Sequence, residues 1–345
     1  MATAEVTVYG AGIFGLSVAY ACALRGARVT VIDPNGVAAG SSGGLVGALA
    51  PHVPEQWNDK KAFQFDSLMM QATFWAEVAD RSGMATGYAR SGRLQPLADD
   101  AAIALAQARG EGAKTLWQGR ADWTVIDAPP GDWVPPSPSG KVIYDTLAGL
   151  IHPRQATRAL AQAFRSLGGQ IVASGDPAGQ VVWATGWRGL VDMTAQHHRQ
   201  VGNGVKGQAA LLKYDTGGAP QLFADALHIV PHLDGTVAIG STTEREFDDP
   251  NTPDDKLEDV VARARAAFPV LQAAPVIERW AGVRPRSRTR APMLGAHPFQ
   301  SGAFVANGGF KIGFGMAPKV GQVMANLILE GIDDIPAGFR AEANL

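Results

Sequence analysis

The sequence is poor in several things, and each shortage narrows what the chain can be. It has one cysteine, Cys22, in 345 residues. No internal disulfide is possible, which excludes a disulfide-stapled secreted scaffold. Basic and acidic side chains nearly balance, 30 against 32, so the broad positive field of a nucleic-acid binder is missing. No apolar run approaches the ~20 residues of a membrane helix, and no transmembrane segment is expected. The amino end lacks a basic patch followed by an apolar stretch and a cleavage site. A secretory signal is therefore not expected, and the expected location is cytoplasmic. No internal repeat is visible. Against these shortages, 46% of the residues are apolar and 18% charged, which excludes general disorder. A chain this long buries about 75 per cent of the surface that its unfolded form exposes. Glycine, at 41 residues, is in excess, and much of it lies in a few clusters.

The first cluster is the most informative. Glu5-Val6-Thr7-Val8-Tyr9 is short, β-branched and apolar, as a buried parallel strand should be. Gly10-Ala11-Gly12-Ile13-Phe14-Gly15 follows at once. An Ala- and Leu-rich helix is expected from Leu16 to about Arg25, ended by Gly26. A second strand, Arg28 to Ile32, leads to Asp33. Gly10 allows the tight strand-to-helix turn, Gly12 lets a pyrophosphate approach the backbone, and Gly15 lets the helix pack on the strand. The helix amino terminus then offers N–H groups and partial positive charge to phosphates. Asp33, 18 residues past Gly15, is placed to accept the hydroxyls of an adenosine ribose. The unit predicts a bound dinucleotide, NAD or FAD. Its place at the extreme amino end, with a late Gly308-Gly309 turn before a final helix, favours FAD.

Further along, Phe65, Leu68, Met69, Ala72, Trp75 and Val78 recur at helical spacing within a helix expected over 60–81. Ala98 to Arg109 reads as helix, and the proline-rich stretch 129–138 reads as a loop. That loop is open to two readings, a surface connection or a gate at a domain crossing. A helix over 151–167 and a strand over 180–184 follow. Residues 208–214, 226–231 and 236–240 read as antiparallel strands, with Asp234-Gly235 as a hairpin turn. A helix is expected over 254–268, a strand over 303–306 and a last helix over 318–329.

The residues so assembled resemble the D-amino acid oxidase-type FAD superfamily, most closely its glycine oxidase and sarcosine oxidase branch. The resemblance covers nearly the whole chain and rests on four segments. These are the amino-terminal unit, Ser41 to Leu49, Val182-Trp183-Ala184-Thr185-Gly186-Trp187, and a carboxyl-terminal set. That last set is Trp280 to Pro285, Ala291 to Gly295, and Gly308 to Gly313. The resemblance implies an α/β fold: a Rossmann-like βαβ FAD domain from 1–54, 145–200 and 286–345. A mainly antiparallel-sheet substrate domain is implied from 55–144 and 201–285.

It also implies site residues. Arg284 matches the arginine that grips a substrate carboxylate, and Lys311 a basic position beside the flavin pyrimidine ring. The cofactor set is Gly10, Gly12, Ile13, Phe14, Gly15, Asp33, Pro34, Ser41, Ser42, Gly43, Gly47, Ala48, Leu49, Thr185, Gly186, Trp187, Gly308, Gly309, Phe310, Lys311 and Ile312. The main-chain N–H groups from Gly309 to Ile312 are expected to share the role of Lys311. Either Ile171 or Val172 takes the place of the apolar residue set against the adenine.

The chain departs from the pattern at His228-Ile229-Val230-Pro231-His232, where relatives often carry a tyrosine. His228 would stand in for that phenol in the pocket, and His52 would line the same site. Non-covalent FAD is expected, because no cysteine lies in the late region that tethers flavin in sarcosine oxidases. No metal site is expected.

The implied reaction is oxidation of an amine-bearing carboxylate by hydride transfer to flavin N5, giving an imine. Oxygen, or a quinone or carrier protein, would accept the electrons. Two alternatives stay open: a flavin dehydrogenase or 2-hydroxy acid oxidase on this fold, and a non-catalytic FAD-binding protein. Arg284 has the alternative of a salt bridge at a domain seam. Arg286, Arg288 and Arg290 form either a solvated basic loop or a site for a second substrate carboxylate.

Overall fold

The structure, a computed structural model, describes residues 4–345. In chain order its strands are β1 (Glu5–Tyr9), β2 (Arg28–Ile32), β3 (Ala48–Leu49), β4 (Arg93–Pro96), β5 (Trp123–Asp127), β6 (Lys141–Asp145), β7 (Gly149–Leu150), β8 (Gln170–Val172), β9 (Gln180–Trp183), β10 (Gly202–Lys213), β11 (Gln221–Ala224), β12 (Leu227–His232), β13 (Thr236–Gly240), β14 (Val276–Ser287), β15 (Met293–Ala296) and β16 (Ala303–Asn307). Its helices are α1 (Ile13–Leu24), α2 (Asp59–Ser82), α3 (Asp100–Leu116), α4 (Pro153–Ser166), α5 (Gly186–Ala195), α6 (Asp255–Ala267) and α7 (Gly313–Glu330). Among the described residues, no helix is long and apolar enough to cross a membrane.

Two large sheets organise these elements. The first has the order β15-β16-β9-β1-β2-β8, the second β14-β10-β13-β12-β11-β4-β6-β5, and β3 pairs with β7 apart from both. In the first sheet β1 lies between β2 and β9, with Val8 opposite Val31 and Val182. Every pairing in it is parallel except β15 on β16. Val6, Val8, Val29, Val31, Val182 and Val305 are buried, as strands covered on both faces require. Helices α1 and α7 pack together, and α2 and α4 close the same core.

The second sheet is antiparallel except where β11 runs beside β4. Its two faces alternate with the period of a strand. Leu212, Ile229, Val237 and Ile239 close on Leu257, Val261 and Ala264 of α6. The opposite face carries Ala209, Leu211, Val230 and Ala238, which pack on Leu45 and Val46. The glycine- and serine-rich stretch 41–49 thus joins the first helix to the second sheet.

Four readings from the sequence need correction. Helix α1 starts at Ile13 rather than Leu16, so Gly15 lies inside it. Helix α3 continues to Leu116, through Gly110 and Gly112. Helix α7 starts at Gly313, and Pro318 is internal rather than first. A proline there has no N–H for the carbonyl of residue 314. Gln71 of α2 supplies the missing donor, its Nε2 reaching the Phe314 O at 3.1 Å and the Gly315 O at 3.3 Å. Finally, the proline-rich segment joins β5 to β6, which pair in the same sheet, so it makes no crossing between the sheets. Trp133 pins it, stacking on Tyr214 and donating to the Pro220 O at 2.8 Å.

Candidate active site

The strand–turn–helix unit is built as the glycines demand. Gly10 has φ +109°, and a Cβ there would come within 2.4 Å of the Ala184 carbonyl. The close approach seats the Ala184–Thr185 strand end directly against the turn. Helix α1 opens without a side-chain cap from its own N-cap, Gly12. Instead the Ile13 N–H donates to Ser42 Oγ at 2.9 Å, a buried bond across 29 residues. The N–H groups of Phe14 and Gly15 have no acceptor among the described residues. Asp33, at the end of β2, accepts from the Ala11 N–H at 2.8 Å and the Asn35 N–H at 2.9 Å. The carboxylate therefore braces the same turn, with lone pairs remaining. Pro34 is exposed beside it.

The remaining cofactor candidates fall into three groups. Ser41–Gly43 is a single 3₁₀ turn, and Ala48–Leu49 is β3, paired with Gly149–Leu150. Arg154 of α4 holds the Gly43 carbonyl at 2.6 Å, and Gly47 lies directly on Ile151. The turn Gly308–Ile312 reaches back to α1: a Cβ at Gly309 would lie 3.1 Å from the Phe14 ring. In that turn the Phe310 N–H donates to the Pro285 O at 3.0 Å and the Ile312 N–H to the Gly309 O at 3.0 Å. Of the main-chain donors expected there, two are therefore committed within the protein. Thr185 and Gly186 lie at the start of α5, where Asn307 Nδ2 holds the Gly186 carbonyl at 2.9 Å. Trp187 turns to the second sheet instead. It lies over Gly204 and packs edge-on against Phe247.

Three of the four expected catalytic positions converge on one face of the second sheet. Arg284 on β14 pairs in register with Val205, and His228 on β12 pairs with Gly240, itself opposite Ala209. Residues 205, 207 and 209 share a face with Leu211, so Arg284 and His228 lie on the side turned to residues 45–46. The Arg284 guanidinium lies flat over Gly207, where a Cβ would be only 1.5 Å from Nη2. That Nη2 donates to the Thr242 carbonyl at 2.6 Å. Lys311 Nζ donates to Thr243 Oγ1 at 3.1 Å. Neither cation forms an ion pair among the described residues, so the domain-seam salt bridge for Arg284 is not made. Burial brings the Arg284 group down to about 10, with Glu244 opposing the shift. Lys311, although exposed at the surface, is also lowered, by partial desolvation of its ammonium and then by Arg284.

His228 is neutral there. Burial, then the charges of Arg93 and Lys311, push it down to about 3. Its Nδ1 is buried without a partner. Arg93, on β4, is itself buried and bonded through Nε to Asp145 at 2.9 Å. Sequence reasoning missed Arg93 and Asp145, whose pairing depends on the β4–β6 register.

His52 is not part of this group. Its ring and N–H both engage Gln64 of α2, and its nearest charges are Lys60 and Lys61. His232 donates from Nε2 to the Leu45 carbonyl at 2.9 Å, and its ring lies 4.6 Å from that of His152 at a tilt of 34°. Arg288 is tied to carbonyls at the carboxyl end, Asn344 O and Leu345 O, rather than to the Arg284 site. Cys22 is fully buried in α1, its thiol pushed up to about 12 by burial.

The family described as FAD dependent oxidoreductase matches residues 5–327. A glycine oxidase of Pseudomonas putida is 28% identical over 377 aligned positions, covering 99% of each chain. A bifunctional ThiO/ThiG protein of a Nostoc species is 26% identical over 96% of this chain. The chain spans only about half the length of that relative, 54%. The crystal structure of glycine oxidase from Geobacillus kaustophilus superposes with a TM-score of 0.81 at 20% identity, covering 98% of this chain and 99% of that one. With the family's match running through both sheets, the chain belongs to the FAD-dependent oxidoreductases of the D-amino acid oxidase type.

Proposed function

We propose that this chain uses FAD to oxidise an amine that carries a carboxylate, releasing an imine that water hydrolyses. The observation that carries the reading is Arg284. Its guanidinium is largely buried, lacks a carboxylate partner among the described residues, and lies near a second cation, Lys311. A desolvated cation calls for an anion, and a planar fork suits a carboxylate through two parallel bonds. The Pseudomonas putida relative aligned end to end is named a glycine oxidase, and glycine is such an amine.

The residues present fit the cofactor. The turn at Gly10–Gly15 offers main-chain N–H groups and a helix amino terminus to a pyrophosphate, and Asp33 retains acceptor capacity for ribose hydroxyls. We assign the first sheet to the FAD domain and the second to the substrate domain, with the site where their residues meet. FAD, when bound, supplies the two-electron oxidising chemistry. Lys311 would supply positive charge to offset the negative charge of the reduced cofactor. Arg284 orients the substrate through its carboxylate, so that positioning supplies much of the acceleration. His228, neutral and with Nδ1 unpartnered, offers a hydrogen-bonding atom to the amine or to water. The sole cysteine is enclosed in α1, which supports non-covalent binding.

Anaerobic titration of the purified holoprotein tests the reading. Glycine, sarcosine, D-alanine and D-glutamate form one panel, glycolate and lactate another. Loss of the yellow flavin absorbance with at least one amine is expected. Loss with hydroxy acids alone, or with no compound, would overturn it. Admitting oxygen, or a quinone, to the bleached protein then identifies the electron acceptor.

A further inference from the structure

A chain of polar groups, buried at Gln208 and Glu244, runs from Arg284 outward to the start of α6. The carbonyl that receives Arg284 belongs to Thr242, and the hydroxyl that receives Lys311 belongs to its neighbour Thr243. Two adjacent residues therefore hold both cations of the site. Thr242 is fixed in turn: its hydroxyl accepts the Gln208 N–H at 2.9 Å and donates to Glu244 Oε1 at 2.5 Å. Glu244 is 8% exposed and Gln208 fully buried. Glu244 Oε1 also accepts Gln208 Nε2 at 3.0 Å, and its Oε2 accepts Lys256 Nζ of α6 at 2.9 Å.

The arrangement solves a problem that a substrate-binding arginine poses. A buried guanidinium needs a counter-charge. A carboxylate bonded directly to it would occupy the fork that the substrate carboxylate must enter. Here the carboxylate stands two residues along the chain from the carbonyl that Arg284 touches. It opposes the desolvation of Arg284 while leaving Nε and Nη1 uncommitted.

We propose that Glu244 is a positioning residue for the substrate anchor, acting through Thr242 to hold the Arg284 guanidinium flat over Gly207 with its fork open to a carboxylate. This rests on the reading of Arg284 as that anchor. Outer partners of metal ligands are worth about tenfold or more when removed, and a comparable effect is expected for this support.

The test uses the FAD-loaded protein and acetate, a carboxylate with no amine. Binding is read as the change in the flavin absorption spectrum on titration. Glu244→Gln keeps the size of the side chain and removes its charge; its acetate Kd is expected to rise about tenfold. FAD content is expected to match wild type, and Glu244→Asp to recover part of the loss. Thr242→Val keeps the carbonyl and removes the hydroxyl link, so it serves if Glu244→Gln does not fold, with the same rise expected. An acetate Kd within twofold of wild type in a folded, yellow variant would overturn the inference while leaving Arg284 as the anchor. Acetate that neither perturbs the flavin of wild type nor distinguishes Arg284→Met from it would remove the anchor itself, and the inference with it.

Discussion

At the scale of single residues, Arg284 is a largely buried cation bonded to a main-chain carbonyl, whereas the buried Arg93 is bonded to the carboxylate of Asp145. His232 is buried and His228 largely so, and both are uncharged. For such a histidine the folded pKa lies below the unfolded one, about 3 and about 4 against 6.5. Between those values the unfolded chain binds more protons, so stability rises with pH. The contribution is complete above about 6.5 and is lost as pH falls toward 4. The double substitution His228→Asn, His232→Asn is therefore expected to flatten the fall in melting temperature between pH 7 and pH 4. A profile as steep as wild type would show that other groups control acid stability. The family resemblance singles out Arg284 and Lys311 as candidates, through the segments Val283 to Pro285 and Gly308 to Gly313. Arg93, Thr242 and Glu244 are ordinary residues that acquire meaning only from strand register.

At the scale of elements, the sequence was most legible where local chemistry and tertiary context agree. The β1–α1–β2 unit has buried valines, a glycine turn and an apolar helix all pointing the same way. The Asp234-Gly235 hairpin is similar, with Gly235 at φ +76°. Strand β14, which carries Arg284, was not legible. Glu278, Arg279, Arg284 and Arg286 interrupt its apolar alternation, and Pro285 argues against a strand. The explanation is its place at the edge of the sheet, where proline and charge are tolerated. Helix α7 was read five residues short because Gly313, Gly315 and Pro318 look like breakers. Gln71 removes the penalty from across the core. Gln71→Leu is expected to destabilise the protein by about 1–3 kcal/mol, the cost of an orphaned buried carbonyl. Thermal unfolding checks this, and an unchanged melting temperature would assign the carbonyls another partner. At the other end of the fold, Gly10→Ala forces a Cβ onto the Ala184 carbonyl in a left-handed conformation. Purified Gly10→Ala protein should carry much less FAD than wild type, as its absorbance spectrum will show.

At the scale of the whole molecule, neither sheet holds the complete site. The glycine turn, Asp33 and Lys311 come with the first sheet, and Arg284 and His228 with the second. Residues 41–49 bind the two together, through Ser42 on α1 and Leu45 on His232. FAD that binds only the folded chain stabilises it by mass action, by about 2.7 kcal/mol at a hundredfold excess over Kd. Apoprotein should therefore melt at a lower temperature than holoprotein and recover when FAD is added. Melting that is indifferent to FAD would contradict a cofactor built into the native state.

The central claim is that position 284 anchors the substrate carboxylate, and anaerobic flavin bleaching in wild type and Arg284→Met, with whichever amine bleaches wild type, measures it most directly. Both proteins are expected to hold FAD, the variant needing about 10²-fold more amine for half-maximal rate. Equal half-saturation in two fully yellow proteins would contradict it.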